Sequence, residues 1–497
     1  MLFNSIDFIL FFPIVAIIYY LIPNKFRYIW LLVCSYYFYM CWNAKYALLL
    51  LFSTAVTYVV SLLLEKIENS DYALEKKIRR KKLTMVFGLA VNLVLLGYFK
   101  YFNFFTGTIN KVLEKISMEM VIPQYDILLP VGISFFVFQA LSYTIDVYRK
   151  EIYAEKNFFK YALFVSFFSQ LVAGPIERSK NLLKQINERH RLEYKAVWTG
   201  LLLMLWGFFL KLVLADRIAI VVNEVYGSPE NYPGVYIVVA TVLFAFQIYC
   251  DFNGYTMIAR GAAGIMGFQL MENFDAPYYA GTVSEFWRRW HISLTSWFRD
   301  YLYIPLGGNR KGKIRKYLNI LTVFGLSGLW HGASWTYVIW GLLNGFYQVV
   351  GDLLKPARDF VVEKCGIKRE LFSHKFLKWF TTFVFVDFAW LFFRAEGLGH
   401  AKLLIKQLFH FNPWILFDGS LYQLGLAEKN FQFMIGMLLV LFAVDYCKYK
   451  KLDIIEKIYK QGVWLQAVVF AILFWVIIIF GIYGVEYEAS QFIYFQF

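Results

Sequence analysis

Charge is what this 497-residue sequence has least of. Lys, Arg, Asp and Glu together make up 17% of it, against about 25% in an ordinary soluble domain. With a mean hydropathy of +0.51, that deficit excludes a soluble fold. Cysteine is nearly absent: Cys34, Cys41, Cys250, Cys365 and Cys447 are scattered, without a CxxC or metal-ligand spacing. Neither a disulfide framework nor a metal site is expected, and a thiol in or beside an apolar run acts as a small hydrophobe. Met1 to Phe8 carry no basic residue, and no small-residue cleavage site follows, so a secretory signal is not indicated. Lys25 and Arg27 come only after the first apolar run, which predicts a retained first helix with its N-terminus outside. No Ser-centred elbow, Walker loop, HExxH or dinucleotide fingerprint appears. Paired broken repeats of the kind many transporters carry are missing too. Without a Gly/Ser- or Pro-rich linker, residues 1–497 are expected to form one integral-membrane domain. Its parts would be N-terminal hairpins over 1–150, a core over 151–355 and C-terminal spans over 356–497.

Apolar length is what the sequence does have. Hydrophobic residues make up 59%, and runs long enough to cross a bilayer recur along the whole chain. The reading is an all-α polytopic transmembrane bundle of about 10–12 membrane helices, some of them short or re-entrant. Spans are predicted near 7–22, 28–42, 46–64, 83–101, 130–148, 196–222, 235–268, 379–394, 431–447 and 463–484, with 317–330 and 333–353 as a further pair. The formal charge of +15 collects in loops: seven Lys/Arg against four acids in 65–82, eight against two in 285–316, seven against three in 355–378. Such loops face the cytoplasm, and their charge serves topology and anionic lipid rather than nucleic acid. The acidic loop 223–234 has no Lys or Arg and is expected outside. The run 161–175 is short for a span of ~20 residues and basic on both flanks. A re-entrant path is expected there, since irregular backbone is tolerated at depth where protein covers it. Gly261, Gly264 and Gly267 mark a surface where helices approach closely.

Two histidines carry the chemistry that the composition leaves open. His331 lies in Ser327-Gly-Leu-Trp-His-Gly-Ala-Ser334, a break within an apolar run. An ionisable residue in such a run is by default a functional candidate, and burial keeps its imidazole neutral and able to accept a proton. The alternative is a bundle histidine bonded to a neighbouring helix. His291 follows Arg288, Arg289 and Trp290 in a basic, aromatic segment. This segment, 285–316, reads as a helix in the headgroup plane, so His291 is either functional or an interfacial anchor. Arg288, Arg289, Arg299, Arg310 and Lys311 would suit the phosphates of a nucleotide or phosphopantetheine group. With them, Trp290, Asp300, Tyr301, Asp251, Asn253 and Trp330 complete the candidate binding set. Asp251 and Asn253 suit orienting a histidine or substrate and suit structural hydrogen bonds equally. Asp387, an acid inside an apolar run with Arg394 seven residues on and roughly on the same face, is expected to serve an internal ion pair holding helices together, with a functional role as the alternative. Asp146, Asp216 and Asp445 read as interface residues near span ends.

Several of these blocks resemble the membrane-bound O-acyltransferase family, in the bacterial branch of alginate O-acetyltransferase membrane subunits. They include Leu2-Phe-Asn-Ser-Ile-Asp-Phe, Leu129-Pro-Val-Gly-Ile-Ser-Phe-Phe, Ser142-Tyr-Thr-Ile-Asp-Val-Tyr, Gly174-Pro-Ile and Asp251-Phe-Asn-Gly-Tyr. The set continues with Asn273-Phe-Asp-Ala-Pro-Tyr, Phe286-Trp-Arg-Arg-Trp-His-Ile-Ser-Leu, Arg299-Asp-Tyr-Leu-Tyr-Ile-Pro-Leu-Gly-Gly, Gly328-Leu-Trp-His-Gly-Ala and Phe492-Ile-Tyr-Phe-Gln-Phe. The resemblance implies that His331 is the family's catalytic histidine and His291 its second essential one. It implies a bundle thinned in the middle, with funnels from both faces meeting near the histidine. It also implies an acyl thioester co-substrate, acetyl-CoA or an acyl-carrier phosphopantetheine, with no bound cofactor. Implied partners are a periplasmic or extracellular SGNH-like or relay protein, polysaccharide synthesis machinery and a cytoplasmic acyl carrier, in a bacterial inner or plasma membrane. A sister branch moves D-alanine towards teichoic acid; the longer chain here and its C-terminal Tyr-Phe-Gln-Phe fit the acetyl branch better. A transporter without chemistry of its own is the reading from a different class.

Overall fold

The computed structural model describes residues 1–118, 121–172 and 174–483; the closing block at 492–497 lies outside them. The described residues are helical throughout their ordered elements and contain no strand. Among the described residues, seven helices are long and apolar enough to cross a membrane: Ala44–Glu68, Leu74–Lys115, Tyr194–Gly227, Val235–Ile265, Phe372–Arg394, Glu428–Tyr449 and Val463–Phe480. This is a multi-pass helical membrane protein, with fewer full-length spans than the apolar runs suggested. By Cα proximity the chain forms two compact units, Met1–Met204 with Thr256–Met271, and Leu205–Tyr255 with Glu272–Phe497.

The first unit opens with α1 (Ile6–Leu21), α2 (Asn24–Met40), α3 (Ala44–Glu68) and α4 (Leu74–Leu96). Ser5 caps α1 by accepting from the Phe8 N–H at 3.3 Å. Phe8, Phe12, Val15, Ala16 and Tyr19 then form its buried stripe at helical spacing. On α3 the inward face is small and polar. Thr54 and Thr57 hydroxyls return to the carbonyls one turn back (2.7 and 2.8 Å), and Tyr161 reaches Thr57 at 2.7 Å. Small hydroxyl residues let membrane helices approach closely and bond across the gap.

Three expectations need correction here. The basic stretch 65–82 is mostly helix, because Lys76 to Lys82 sit on the first turns of α4. The span predicted near 83–101 does not end at 101: α4 runs through a π-helical turn, Gly97–Tyr101, into α5 (Phe102–Lys115). The predicted span 130–148 yields only α6 (Ile133–Tyr148), 16 residues or about 24 Å, short of a ~30 Å hydrocarbon core. It is almost wholly buried instead. Its start needs Gly132, with φ +73° and no room for a Cβ beside the Leu171 carbonyl, 2.4 Å away.

The run expected to be re-entrant is two short helices, α7 (Phe158–Ser166) and α8 (Phe168–Leu171). Protein satisfies the break between them. Gln139 and Gln170 side chains both donate to the Phe164 carbonyl (2.6 and 2.7 Å), and Phe168 N–H donates to Ser35 Oγ at 3.1 Å. Helix α9 (Ser179–Ile186) then clasps residues 269–271. Gln185 exchanges bonds with Gln269, and the fully buried Glu177 accepts from the Met271 N–H and from Asn181 at 2.8 Å. Burial raises the Glu177 carboxyl to about 7. Of the three glycines expected at a close helix contact, Gly261 meets Gly200 backbone to backbone, whereas Gly264 has nothing within 4 Å of a would-be Cβ and Gly267 takes φ +91° beside the His190 side chain.

The second unit begins within the long helix made of α10 (Tyr194–Phe208), a π-helical segment Phe209–Ala215 and α11 (Asp216–Gly227), followed by α12 (Val235–Ile265). Next come two short helices, α13 (Val283–Arg289) and α14 (Ile292–Phe298), then a π-helical turn at Arg299–Tyr303. The segment 285–316 is therefore not one interfacial helix, since it breaks at Trp290-His291. Helices α15 (Gly312–His331) and α16 (Trp335–Leu353) form a hairpin. The remainder is α17 (Lys355–Lys364), α18 (Phe372–Arg394), α19 (Leu398–Leu408), α20 (Glu428–Tyr449), α21 (Ile454–Tyr459) and α22 (Val463–Phe480).

Candidate functional site

Two interruptions of regular helix bring the histidines into place. The first lies between α13 and α14, where His291 adopts φ +43°, ψ +55°. Left-handed backbone is uncommon outside glycine and persists where the surroundings over-determine it. Here residues 273–275 form the splint. Ile292 N–H donates to the Asn273 carbonyl at 2.9 Å, and Asp275 N–H donates to the Arg289 carbonyl at 3.0 Å. The Asn273 side-chain oxygen accepts from both Ser293 N–H (3.3 Å) and Ser293 Oγ (2.7 Å).

The second interruption is the tip of the α15–α16 hairpin. His331 is the last residue of α15, and Ser334 caps α16 by accepting from the Thr336 N–H at 3.4 Å. The two helices touch through glycine. A Cβ on Gly328 would fall 2.1 Å from the Tyr337 carbonyl oxygen, and one on Gly341 would fall 2.2 Å from that of Phe324. Small residues permit this backbone contact.

Forty residues apart in sequence, the two imidazoles stand with ring centroids 6.3 Å apart. Aromatic edges and faces enclose them. His331 meets Trp330 at 5.0 Å, Trp340 at 5.1 Å and Phe393 at 5.5 Å. His291 meets Phe252 at 4.7 Å and Trp330 at 6.1 Å. His291 is fully buried and His331 is 4% exposed. Burial disfavours the imidazolium and pushes His291, which lies outside the seven candidate spans, down to about 3. A neutral, sheltered imidazole can take a proton from a hydroxyl. Trp287 braces the enclosure by donating to Asn344 at 3.1 Å, which in turn donates to the Trp340 carbonyl at 2.9 Å.

The other candidate residues separate into different surroundings. Trp330 lies with the histidines. Trp290 is core: its ring stacks on Phe286 at 5.3 Å and meets Trp390 at 5.1 Å. Arg289 is engaged by Glu285 (2.9 Å) and Asp275 (3.2 Å), while Arg288 is exposed. Arg299 pairs with Asp300 at 2.8 Å, and the Tyr301 ring meets Trp297 at 5.2 Å in a tilted contact. Asp251 is ion-paired to Lys211 at 2.7 Å. Asn253 is buried, and its side-chain oxygen has no partner among the described residues.

The expected Asp387–Arg394 pair does not form. Seven residues along one helix is a rise of about 10 Å, and Arg394 instead donates to Asn223 at 2.9 Å. Asp146, Asp216 and Asp445, read as interface residues near span ends, each have a polar partner within the protein. Asp146 accepts from Ser179 at 3.1 Å, Asp445 from Tyr249 at 3.1 Å, and Asp216 pairs with Lys211 at 2.9 Å. The sequence reading passed over Lys211, Phe252, Trp340 and Phe393. Lys211 carried a usable signal, a lone cation inside an apolar run; the aromatic residues carried none, being a few among many. No group of metal-ligating side chains occurs among the described residues.

Residues 37–393 match the family model described as MBOAT, membrane-bound O-acyltransferase family. A protein of Pseudomonas syringae pv. tomato named probable alginate O-acetylase is 38% identical over 418 residues, 84% of this chain and 76% of that one. A peptidoglycan O-acetyltransferase of Helicobacter pylori is 34% identical over 410 residues, 77% of this chain and 74% of its own. A teichoic acid D-alanyltransferase of Bacillus subtilis is 27% identical over 240 residues, 45% of this chain and 58% of its own.

Proposed function

The chain belongs to the membrane-bound O-acyltransferase family, and from that premise we propose that it transfers an acetyl group from a thioester donor on the cytoplasmic side. The acceptor is a hydroxyl arriving from outside, on an envelope polysaccharide or on a relay protein of the SGNH type. The juxtaposition of His291 and His331 in one aromatic enclosure is the observation that carries this reading. His331 takes the proton of the incoming hydroxyl as that oxygen attacks the thioester carbonyl. The tetrahedral adduct then collapses, the C–S bond breaks, and the proton on His331 passes to the leaving thiolate. General-base help of this kind contributes ~10²–10⁴-fold, and exclusion of water protects the thioester from hydrolysis. His291, neutral at working pH, orients the donor or assists proton transfer. Arg288, Arg310 and Lys311, all exposed, are the cations free to meet donor phosphates; Arg289, tied to two acids, is a poorer choice. Location in a bacterial inner membrane, with the N-terminus outside, completes the reading.

Acetyl is favoured over D-alanyl cargo because the relatives named for O-acetyl transfer match three quarters or more of this chain, whereas the D-alanyltransferases match less than half. The test is mass analysis of surface polymer from cells carrying His331→Ala at normal protein abundance. Acetylation should fall to the level of a deletion strain; acetylation at wild-type level would remove the mechanism.

A further inference from the structure

The interior of the second unit holds a charge cluster that the proposed chemistry does not use. Lys211 stands at the midpoint of the 34-residue span Tyr194–Gly227, and Asp251 at the middle of the 31-residue span Val235–Ile265. Those are the depths at which an ionised side chain is most costly in a bilayer. The two meet there at 2.7 Å, with their side chains 1% and 3% exposed, and Lys211 also holds Asp216 at 2.9 Å.

The local backbone is shaped around this triad. Five residues separate Lys211 from Asp216, a spacing that turns side chains well apart on an α-helix but close to one face where the helix widens to i→i+5 bonding. The π-helical segment Phe209–Ala215 supplies that widening. Gly254 lets the two helices close on each other: a Cβ there would sit 2.8 Å from the Gly207 carbonyl oxygen and 3.2 Å from the Lys211 backbone nitrogen. Asp251 is followed directly by Phe252, whose ring meets His291 edge to face at 4.7 Å and Phe274 at 5.2 Å. The ion pairs thus set the rotation of α12 at the turn that bears on His291.

We propose that Lys211 is a positioning residue for the histidine pair: by bridging Asp216 and Asp251 it locks α12 so that Phe252 holds His291 in its strained backbone conformation. The role rests on the reaction proposed above only for its effect on turnover. A structural filler would need volume at position 211; a positioning cation needs charge and reach.

The experiment compares Lys211→Arg, Lys211→Gln and Lys211→Met in the purified full-length protein, reconstituted in nanodiscs. Two readouts are taken. One is acetyl-transfer turnover, resolved into kcat and KM for acetyl-CoA. The other is the rate at which diethyl pyrocarbonate modifies His291, read by peptide mass spectrometry, which requires no activity. Lys211→Gln and Lys211→Met should lower kcat at least tenfold with KM within about twofold, and should speed His291 modification severalfold. Lys211→Arg should restore slow modification. If modification behaves in this way while no variant, nor the wild type, transfers acetyl groups, the positioning role stands and the assigned reaction fails. Should the neutral variants fail to fold, the triple exchange Lys211→Met, Asp216→Asn, Asp251→Asn removes every charge of the cluster together. Wild-type kcat and wild-type His291 protection in any folded charge-free variant would overturn the proposal.

Discussion

A single methyl group placed three residues before His331 tests whether the hairpin tip sets the position of the imidazole. In Gly328→Ala the new Cβ would lie 2.1 Å from the Tyr337 carbonyl oxygen. Close C···O contacts in proteins are about 3.3–3.6 Å, so α15 and α16 must separate there by roughly 1 Å or more. The obstacle is backbone, which cannot swing aside as a flexible side chain would. Overpacking of this kind costs about 1–3 kcal/mol. Displacing a reacting group by ~1 Å costs about 10²-fold in rate, so the loss of turnover should exceed what the loss of stability explains. Gly351→Ala is the matched control: it lies on α16 with nothing within 4 Å of its would-be Cβ. It should hold or raise stability by about 0.5–1 kcal/mol and leave kcat unchanged. Thermal midpoints and acyl-transfer rates of both variants, measured in the same detergent, decide the matter. Equal midpoints and equal kcat for Gly328→Ala and wild type would refute the reasoning about the hairpin.

Three further outcomes are expected. Asn273→Ala strands the Ser293 donors that its side chain accepts, a loss of about 1–3 kcal/mol for buried groups; it should lower kcat more than Ser296→Ala, and equal kcat for the two would count against the splint. The Glu177 carboxyl, raised from its ordinary 4.5 to about 7, binds a proton in the folded protein more tightly than in the unfolded chain. Stability should therefore fall as pH rises from about 4.5 to about 7 and stay lower above that window. Glu177→Gln should flatten that part of a pH series of thermal midpoints, and an unchanged slope would show that another group titrates. For Asp387 and Arg394, which make no ion pair, a double-mutant cycle on stability should give additive effects within about 0.5 kcal/mol; a larger coupling would restore the pair inferred from spacing.

Much of the architecture is legible without coordinates because bilayer burial writes itself into composition. The limits of α3, α12, α20 and α22 follow their apolar runs closely. Where the reading took 130–148 for a span and 285–316 for one interfacial helix, many of the apolar and aromatic residues are buried by protein. Hydropathy does not distinguish burial by protein from burial in lipid. The extension of α4 into α5 escaped for the opposite reason: its ends are polar enough to resemble loops, yet the backbone bonds continue.

The candidate site divides along the same line. Residue type and local context alone single out His291 and His331, since an ionisable ring in an apolar or aromatic stretch is expensive to keep unless it serves something. The family likeness strengthens that choice from the order of short blocks. Spacing could not tell that Asp387 and Arg394 stay apart, that Asp251 is held by Lys211, or that Trp290 belongs to the core. Partners in a bundle come from different helices, and their register is set by side-chain volume and glycine contacts spread over hundreds of residues. By itself, then, the chain's order of residues determined a helical membrane acyltransferase and marked two candidate histidines. Only the tertiary structure decided that the histidines stand 6.3 Å apart and which aromatic walls enclose them, because proximity between distant segments is a property of the fold's contacts and not of local chemistry.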